Sequence, residues 1–230
     1  MNGTWLDRAA QVPLFEGIDE GGLKAIAHCM NLAPVKYKRG ELIALEGRDD
    51  ARIGVLLSGQ AHLVREWMDG ELLVMQQLVS GDVFGEMAAF QHKTWPATVE
   101  ARADCEVLLL DPIRVATSCA NACHGHNRML LNLLGIMASQ GLALQRQVRY
   151  LAIRSLRARL ATFLLEQSHL AGKDTFVLPM ARAPMAAFLG VARPSLSREM
   201  GAMRQAGWID FHGAAVKILD KPALIRQTEE

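Results

Sequence analysis

The chain has 230 residues, half of them apolar, and its 25 Lys and Arg offset 24 Asp and Glu to leave a formal charge of +1. That much apolar matter supports one large or two modest cores and excludes a disordered chain; with no run near the roughly 20 apolar residues of a membrane span and no cationic-then-apolar opening in MNGTWLDRAAQ, a cytoplasmic protein without a membrane partner is expected. Four cysteines, Cys29, Cys105, Cys119 and Cys123, are too few and too unevenly spread for a secreted disulfide framework.

In chain order, LFEGIDEGGLKAIAHCM, from Leu14, predicts short helices. From about Val35 to Leu110, short apolar runs are punctuated by Gly40, Gly47, Gly59, Gly70, Gly81 and Gly85, the pattern of antiparallel strands joined by tight turns. A small all-β barrel or roll is expected, with the short helices packed on its end. From near Cys123 the texture turns helical. Leu130, Leu134, Met137, Gly141, Leu144, Val148 and Leu151 recur at alternating spacings of four and three, a heptad seam. A single amphipathic helix lying on its own barrel would also carry an apolar stripe. The length of the seam, and Gly141, which lets two backbones approach, favour a parallel helix pair and therefore a homodimer.

Beyond Ser155, SLRARLATFLLEQS predicts another amphipathic helix and FVLP a short strand; MARAPMAAFLGV and RPSLSREMGAMRQAGW predict two helices separated by a Gly-Val-Ala turn. WIDFHGAAVKILD then alternates as a β-hairpin around Gly213. Helix, glycine turn, helix and hairpin make a winged helix-turn-helix, whose second helix enters the DNA major groove. Nine Lys and Arg against five Asp and Glu between Tyr150 and Asp220 give this part +4, whereas residues 1–149 carry −3. The basic third of the chain is the one that would meet a polyanion.

The stretch GVARPSLSREM, from Gly190 to Met200, carries the chemistry. Pro194 suits a first helical turn, where its missing N–H is unpaired anyway. Ser195 and the free N–H groups at the helix start can bind phosphate, and the planar forks of Arg193 and Arg198 match guanine O6 and N7. Ser197 and Arg198 follow within one turn, with Leu196, Met200 and Met203 behind as a buried face. Sequence-specific binding of double-stranded DNA at a palindromic operator is expected, through Arg193, Pro194, Ser195, Ser197 and Arg198.

From about Leu14 to Asp220 the chain resembles the CRP/FNR family of bacterial transcription regulators: the β-roll glycines, the FGEM box from Phe84 to Met87, the long helix and LGVARPSLSREM stand in that family's order. The resemblance implies an α+β fold in three parts. Residues 1–122 would form an N-terminal antiparallel β-roll, the cyclic-nucleotide-binding-like jelly roll, as the effector-sensing domain; 123–152 a long dimerisation helix; and 153–230 a C-terminal winged helix-turn-helix. It also implies an unknown small-molecule effector between roll and dimer helix, touching Gly85, Glu86, Trp95, Pro96, Ala97, Gln140 and Gln145, and RNA polymerase as a further partner.

Departures from the family pattern are informative. Members that bind cyclic AMP carry an Arg-Ser pair for the cyclic phosphate, and here Pro96 and Ala97 stand in its place, although Glu86, which resembles the ribose-binding carboxylate, is retained. A buried phosphate without a fixed cation is costly, which argues against cyclic AMP unless Lys93 reaches in. The family's oxygen sensors hold an iron–sulfur cluster with several N-terminal cysteines, and this N-terminal region has only Cys29, which argues against a cluster. Many members place a Glu before the residue that opens the recognition helix, and here it is Pro194, so the operator is expected to depart from the usual half-site.

Cys119, Cys123, His124 and His126 fall within eight residues and have the ligand types of a zinc or redox site, but buried structural roles are commoner for such residues, so no metal is assigned. No G-x-S-x-G, Walker loop, H-E-x-x-H or paired-cysteine motif occurs, and an enzyme is not expected. The competing reading is a ligand-, redox- or metal-sensing module that acts through a protein partner; its activity would survive loss of charge at Arg193 and Arg198.

Overall fold

A computed structural model describes residues 4–50, 52–66, 72–91, 93–117 and 124–228. The chain divides into two compact units, Met1–Ala138 and Ser139–Glu230. The first opens with α1 (Trp5–Ala9), a 3-10 turn (Pro13–Phe15) and α2 (Glu20–Cys29). Asp19 caps α2 by accepting from the Gly22 N–H at 2.7 Å. The strands β1 (Val35–Tyr37), β2 (Leu42–Ala44), β3 (Ile53–Ser58), β4 (Gln60–Glu66), β5 (Leu72–Val79) and β6 (Val83–Phe84) follow, then α3 (Glu86–Phe90), β7 (Thr98–Ala101), β8 (Cys105–Leu110) and α4 (Pro112–Ala116). They pair into two four-stranded antiparallel sheets, in the orders β1-β8-β3-β6 and β2-β7-β4-β5. The turn expected at Gly70 lies outside the described residues.

The continuous apolar run IGVLLS of β3 has a physical cause. Successive side chains on a strand point to opposite faces. Ile53, Val55 and Leu57 join Leu108 and Leu110 of β8 in a core shared with Leu14, Phe15, Leu23, Ile26 and the helices around them, while Leu56 faces Phe84, Val99, Ala101 and Val107 inside the roll. Both faces are buried, so no polar alternation is possible. Gly54 lies opposite Phe84 in the ladder, and a Cβ built on Gly54 would collide with the Phe84 ring. A Gly54→Val chain is therefore expected to lose about 1–3 kcal/mol of stability or fail to fold, read as a fall in the denaturation midpoint.

The helix α5 (His124–Ala152) crosses from the first unit to the second. Its first half packs on the helix-side core: Met129 and Leu133, which the heptad seam does not include, are fully buried there, and the seam residues Leu130 and Met137 pack partly against it together with Ile136. Asn132 Nδ2 donates to the carbonyls of Leu14 at 3.0 Å and Glu16 at 2.8 Å, which fixes the helix to the N-terminal segment.

The second unit holds α6 (Leu156–Ala171), β9 (Thr175–Val177), α7 (Arg182–Phe188), α8 (Arg193–Gln205), β10 (Ile209–His212), β11 (Ala215–Ile218) and α9 (Lys221–Thr228). The Ser155 hydroxyl caps α6 by accepting from the Ala158 N–H at 3.0 Å. β10, β11 and β9 form an antiparallel sheet in that order. One core joins Leu160, Phe163 and Leu164 of α6 to Met185 of α7, Leu196, Met200 and Met203 of α8 and Leu224 of α9. The expected helix-turn-helix and hairpin are present. The sequence reading stopped at Asp220 and missed α9, although Asp220 accepts from the Ala223 N–H at 2.9 Å and Pro222 sits in the first turn, both start signals. It also missed α3 and α4, each five residues long and too short to show a helical period.

Candidate nucleic-acid interface

The turn between α7 and α8 depends on Gly190, whose φ is +66°, a conformation that L side chains rarely adopt. A Cβ there would also sit 2.5 Å from Leu151 Cδ2, so the last turn of α5 packs directly on the turn. The Arg159 guanidinium donates to the Leu189 carbonyl from the other side. Tyr150, Phe163 and Phe188 form an aromatic cluster with centroids 5.1–6.1 Å apart, joining the end of α5 to α6 and α7. Burial, then the bond its hydroxyl donates to Glu166, push the Tyr150 phenol far above its usual range, so it stays protonated. These contacts hold α7 and the turn as a rigid base for α8.

On α8, Leu196, Met200 and Met203 are buried, while Arg193, Pro194, Ser197 and Arg198 are exposed and Ser195 is half-buried. The 3.6-residue period thus places the five expected DNA-contacting residues around the N-terminal, outward side of one helix. Arg198 Nη2 donates to Ser195 Oγ at 3.2 Å. Among the described residues neither Arg193 nor Arg198 has a carboxylate partner, because the nearby Glu199 is taken by Arg157 at 2.6 Å and Asp210 by Arg204 at 2.8 Å. Two cations therefore stand without neutralisation at a helix N-terminus.

The hairpin is anchored by residues the sequence reading did not single out. The guanidiniums of Arg182 and Arg204 each lie 5.2 Å from the Phe211 ring centroid, and Arg182 Nη2 donates to the Gly213 carbonyl at 3.3 Å. Burial draws the Arg182 pKa below its ordinary value. These contacts set the wing's position beside α8. Their only sequence signal was the coincidence of arginines with an aromatic hairpin.

In the roll, Gly85 has φ +78° and opens α3, and Glu86, the first residue of α3, is 3% exposed. Trp95 is 3% exposed and packs inside the roll, 6.2 Å from the Phe84 centroid; a Cβ on Gly85 would lie 2.5 Å from its ring. Gly85 and Trp95 therefore meet, Glu86 and Ala97 are buried next to them in sequence, and Pro96 and Lys93 are exposed. Gln140, half-buried, and Gln145, exposed, belong to the second unit. Trp95 also lines a cavity of about 240 Å³ with Leu42, Ile43, Ala44, Leu45, Arg48, Asp50, Arg52 and Leu109, which the sequence reading missed.

Along the seam, Leu134 and Leu144 are each 54% exposed and Val148 66% exposed; Gly141 and Leu151 are exposed, and Leu130 and Met137 half-buried. Cys119 and Cys123 lie outside the described residues. His124 is exposed, and the buried His126 donates from Nε2 to the Val115 carbonyl at 3.1 Å, a structural tie between α5 and α4. Burial pushes the Cys105 thiol up, and its Sγ lies 3.1 Å from the Gln60 carbonyl, so it stays a protonated packing residue. No described helix is long and apolar enough to cross a membrane.

An antiparallel roll, a long helix and a winged helix-turn-helix whose Arg193 and Arg198 have no carboxylate partner among the described residues define a two-domain DNA-binding regulator. Residues 34–120 match the family model of the cyclic nucleotide-binding domain and residues 158–227 that of the Crp-like helix-turn-helix domain, together more than half the chain. A CRP-like cAMP-activated global transcriptional regulator of Mycobacterium tuberculosis is 23% identical over 223 residues, 95% of this chain and 97% of that one. The transcriptional regulator LdrP of Thermus thermophilus is 29% identical over 196 residues, 84% and 95% of the two chains. The crystal structure of the Thermus thermophilus catabolite activator protein shares the fold with a TM-score of 0.53 at 21% identity, covering 94% of this chain and 98% of its own. The chain belongs to the CRP/FNR family of transcription regulators. Both of these curated relatives are transcriptional regulators.

Proposed function

We propose that this protein is a homodimer that binds a palindromic operator through two copies of α8, under the control of a signal other than cyclic AMP. In this reading residues 1–122 sense, 123–152 dimerise and 153–230 bind DNA, in the cytoplasm. The observation that carries it is the N-terminal half of α8, where Arg193 and Arg198 stand exposed and, among the described residues, without carboxylate partners on a helix whose other face is locked into the core. Such a helix reads base edges, and a dimer of them reads half-sites about 34 Å apart.

The roll supports a signal other than cyclic AMP. The Mycobacterium tuberculosis relative is cAMP-activated by name. Here the two positions for the phosphate-binding pair are Pro96 and Ala97, and the indole of Trp95 fills the interior beside Gly85. Neither Pro96 nor Ala97 supplies the cation or hydroxyl that the pair would give a cyclic phosphate. An iron–sulfur cluster lacks thiolates in the N-terminal segment, which contains a single cysteine, Cys29.

Selection of genomic fragments by the purified protein at fixed salt, followed by footprinting, tests the reading. Enrichment of a twofold-symmetric site is expected; selection no better than non-specific background, with and without cell extract as a source of effector, would sink it. Arg193→Ala, at the phosphate-facing start of α8, should weaken all sequences alike and reduce the salt slope of log K by about 1. If activity instead survives neutralisation of both Arg193 and Arg198, the protein acts through a protein partner. Contact with RNA polymerase, and with it activation or repression, depends on where the operator lies.

A further inference from the structure

The cavity beneath the β2–β3 loop is separate from the Gly85–Ala97 segment except at Trp95. Its walls are Leu42, Ile43, Ala44, Leu45, Leu109 and Trp95, and Arg48, Arg52 and Asp50 complete the lining. Leu42 and Leu45 are exposed there although their neighbours Ile43 and Ala44 are buried. The Arg52–Asp50 contact is 3.9 Å, at the limit of an ion pair, and Arg48 has no carboxylate partner among the described residues. The lining thus holds two guanidiniums and one carboxylate over an apolar floor, and the loop's other carboxylate, Asp49, is exposed outside that lining. The walls are fixed before any ligand arrives: the Gly47 N–H donates to the Trp95 carbonyl at 2.9 Å, the Trp95 N–H to the Arg48 carbonyl at 2.9 Å, and the Glu46 N–H to Thr98 Oγ1 at 3.1 Å.

We infer that this cavity binds a small monocarboxylate with an apolar body, an acyl or aryl acid, its carboxylate on Arg48 and Arg52 and its body on Trp95, Leu42 and Leu45. A guanidinium fork pairs with a carboxylate in two parallel hydrogen bonds, and the aliphatic walls, Leu42, Ile43, Ala44, Leu45 and Leu109, have no side-chain polar group for a ribose or purine. The volume, about 240 Å³, lies below the roughly 300–1,000 Å³ of sites for drug-sized ligands, which selects a compact acid. A route from ligand to fold is also present. The Trp95 ring and the Arg52 carbonyl both press on Gly85, within 2.7 Å of where its Cβ would be, so a ligand that shifts Trp95 or Arg52 moves the start of α3. The inference rests on the roll being the sensing domain, and it names the ligand class of that domain.

The test is titration calorimetry on the full chain without DNA, using straight-chain acids from butyrate to decanoate, benzoate and cinnamate, with octanamide and cinnamamide as uncharged controls and cyclic AMP as a third arm. Saturable binding of at least one acid at one per chain is expected, with Kd on the order of 10 μM to 1 mM for a ligand of about ten heavy atoms. The matching amide should bind at least tenfold more weakly, as should the acid to an Arg48→Gln/Arg52→Gln chain, and Leu45→Asp, in the exposed part of the wall, should abolish binding by repelling the carboxylate. Both sets of substitutions are at exposed positions and leave the core intact. No saturation by any acid, an amide that binds as tightly as its acid, or unchanged affinity in the arginine variant would each overturn the inference, as would cyclic AMP displacing a bound acid. A chain that selects an operator but binds no acid overturns this inference and leaves the DNA-binding reading standing; a chain that binds the acid but selects no operator does the reverse.

Discussion

A Leu134→Lys/Leu144→Lys chain is expected to sediment as a monomer at micromolar concentration, where the unsubstituted chain sediments as a dimer. Both leucines are more than half exposed on α5, as is Val148, in a seam repeated at heptad spacing. Burying one leucine is worth about 1.5–3 kcal/mol. Each is about half exposed in the single chain, so about half of that remains to be gained at an interface; twofold symmetry counts each substitution twice, and the dimer loses about 3–6 kcal/mol of burial besides the cost of placing four like charges in the seam, enough to dissociate it at micromolar concentration. Folding should survive, because neither side chain belongs to a core; the buried face of the helix is Met129 and Leu133. Circular dichroism and the denaturation midpoint check that point. An unsubstituted chain that sediments as a monomer would show that the seam is not an interface. If the variant is monomeric, its operator affinity should fall with it, since one recognition helix reads only one half-site.

The second large effect is on base readout. Arg198→Ala is expected to weaken binding to the selected operator by about tenfold to a hundredfold and to relax preference at one guanine, because a bidentate guanidinium–guanine contact is worth about 1–3 kcal/mol of discrimination. Binding to unrelated DNA should change far less. Arg198 is exposed, has no carboxylate to release among the described residues, and donates to Ser195 of its own helix, so the loss cannot come from a collapsed core. Arg198→Lys separates charge from shape: it keeps the positive charge and most of the non-specific affinity but lacks the planar fork, so base preference should relax as it does in the alanine variant. Equal loss on specific and non-specific DNA in both variants would place Arg198 on the phosphates instead.

Much of the architecture was legible along the chain. Glycines between apolar runs marked the roll. In the second unit, Gly190 followed by Pro194 marked the turn and the start of α8, and the spacing of Leu196, Met200 and Met203 set its buried face. These signals are local: a turn needs a residue tolerant of positive φ, a helix start tolerates a proline, and a buried stripe repeats every 3.6 residues, so each is fixed by neighbours within a few positions. The seven-residue repeat of α5 was equally visible, but its meaning was not, because the same helix carries a second stripe, Met129 and Leu133, that packs on its own core.

What the tertiary structure decided depends on residues far apart in sequence. Trp95 read as a ligand contact after the FGEM box, and antiparallel pairing placed it inside the roll against Phe84 and Gly85. Arg48 and Arg52 read as loop charges until the β2–β3 loop hydrogen-bonded to the Trp95 backbone and put both on one cavity with it. Arg182 and Arg204, on different helices, converge on Phe211 only because α7, α8 and the hairpin share a core. Strand register and core packing make these contacts, and periodicity carries no information about them: a residue's period says which face it is on, and only the folded chain says what lies opposite that face.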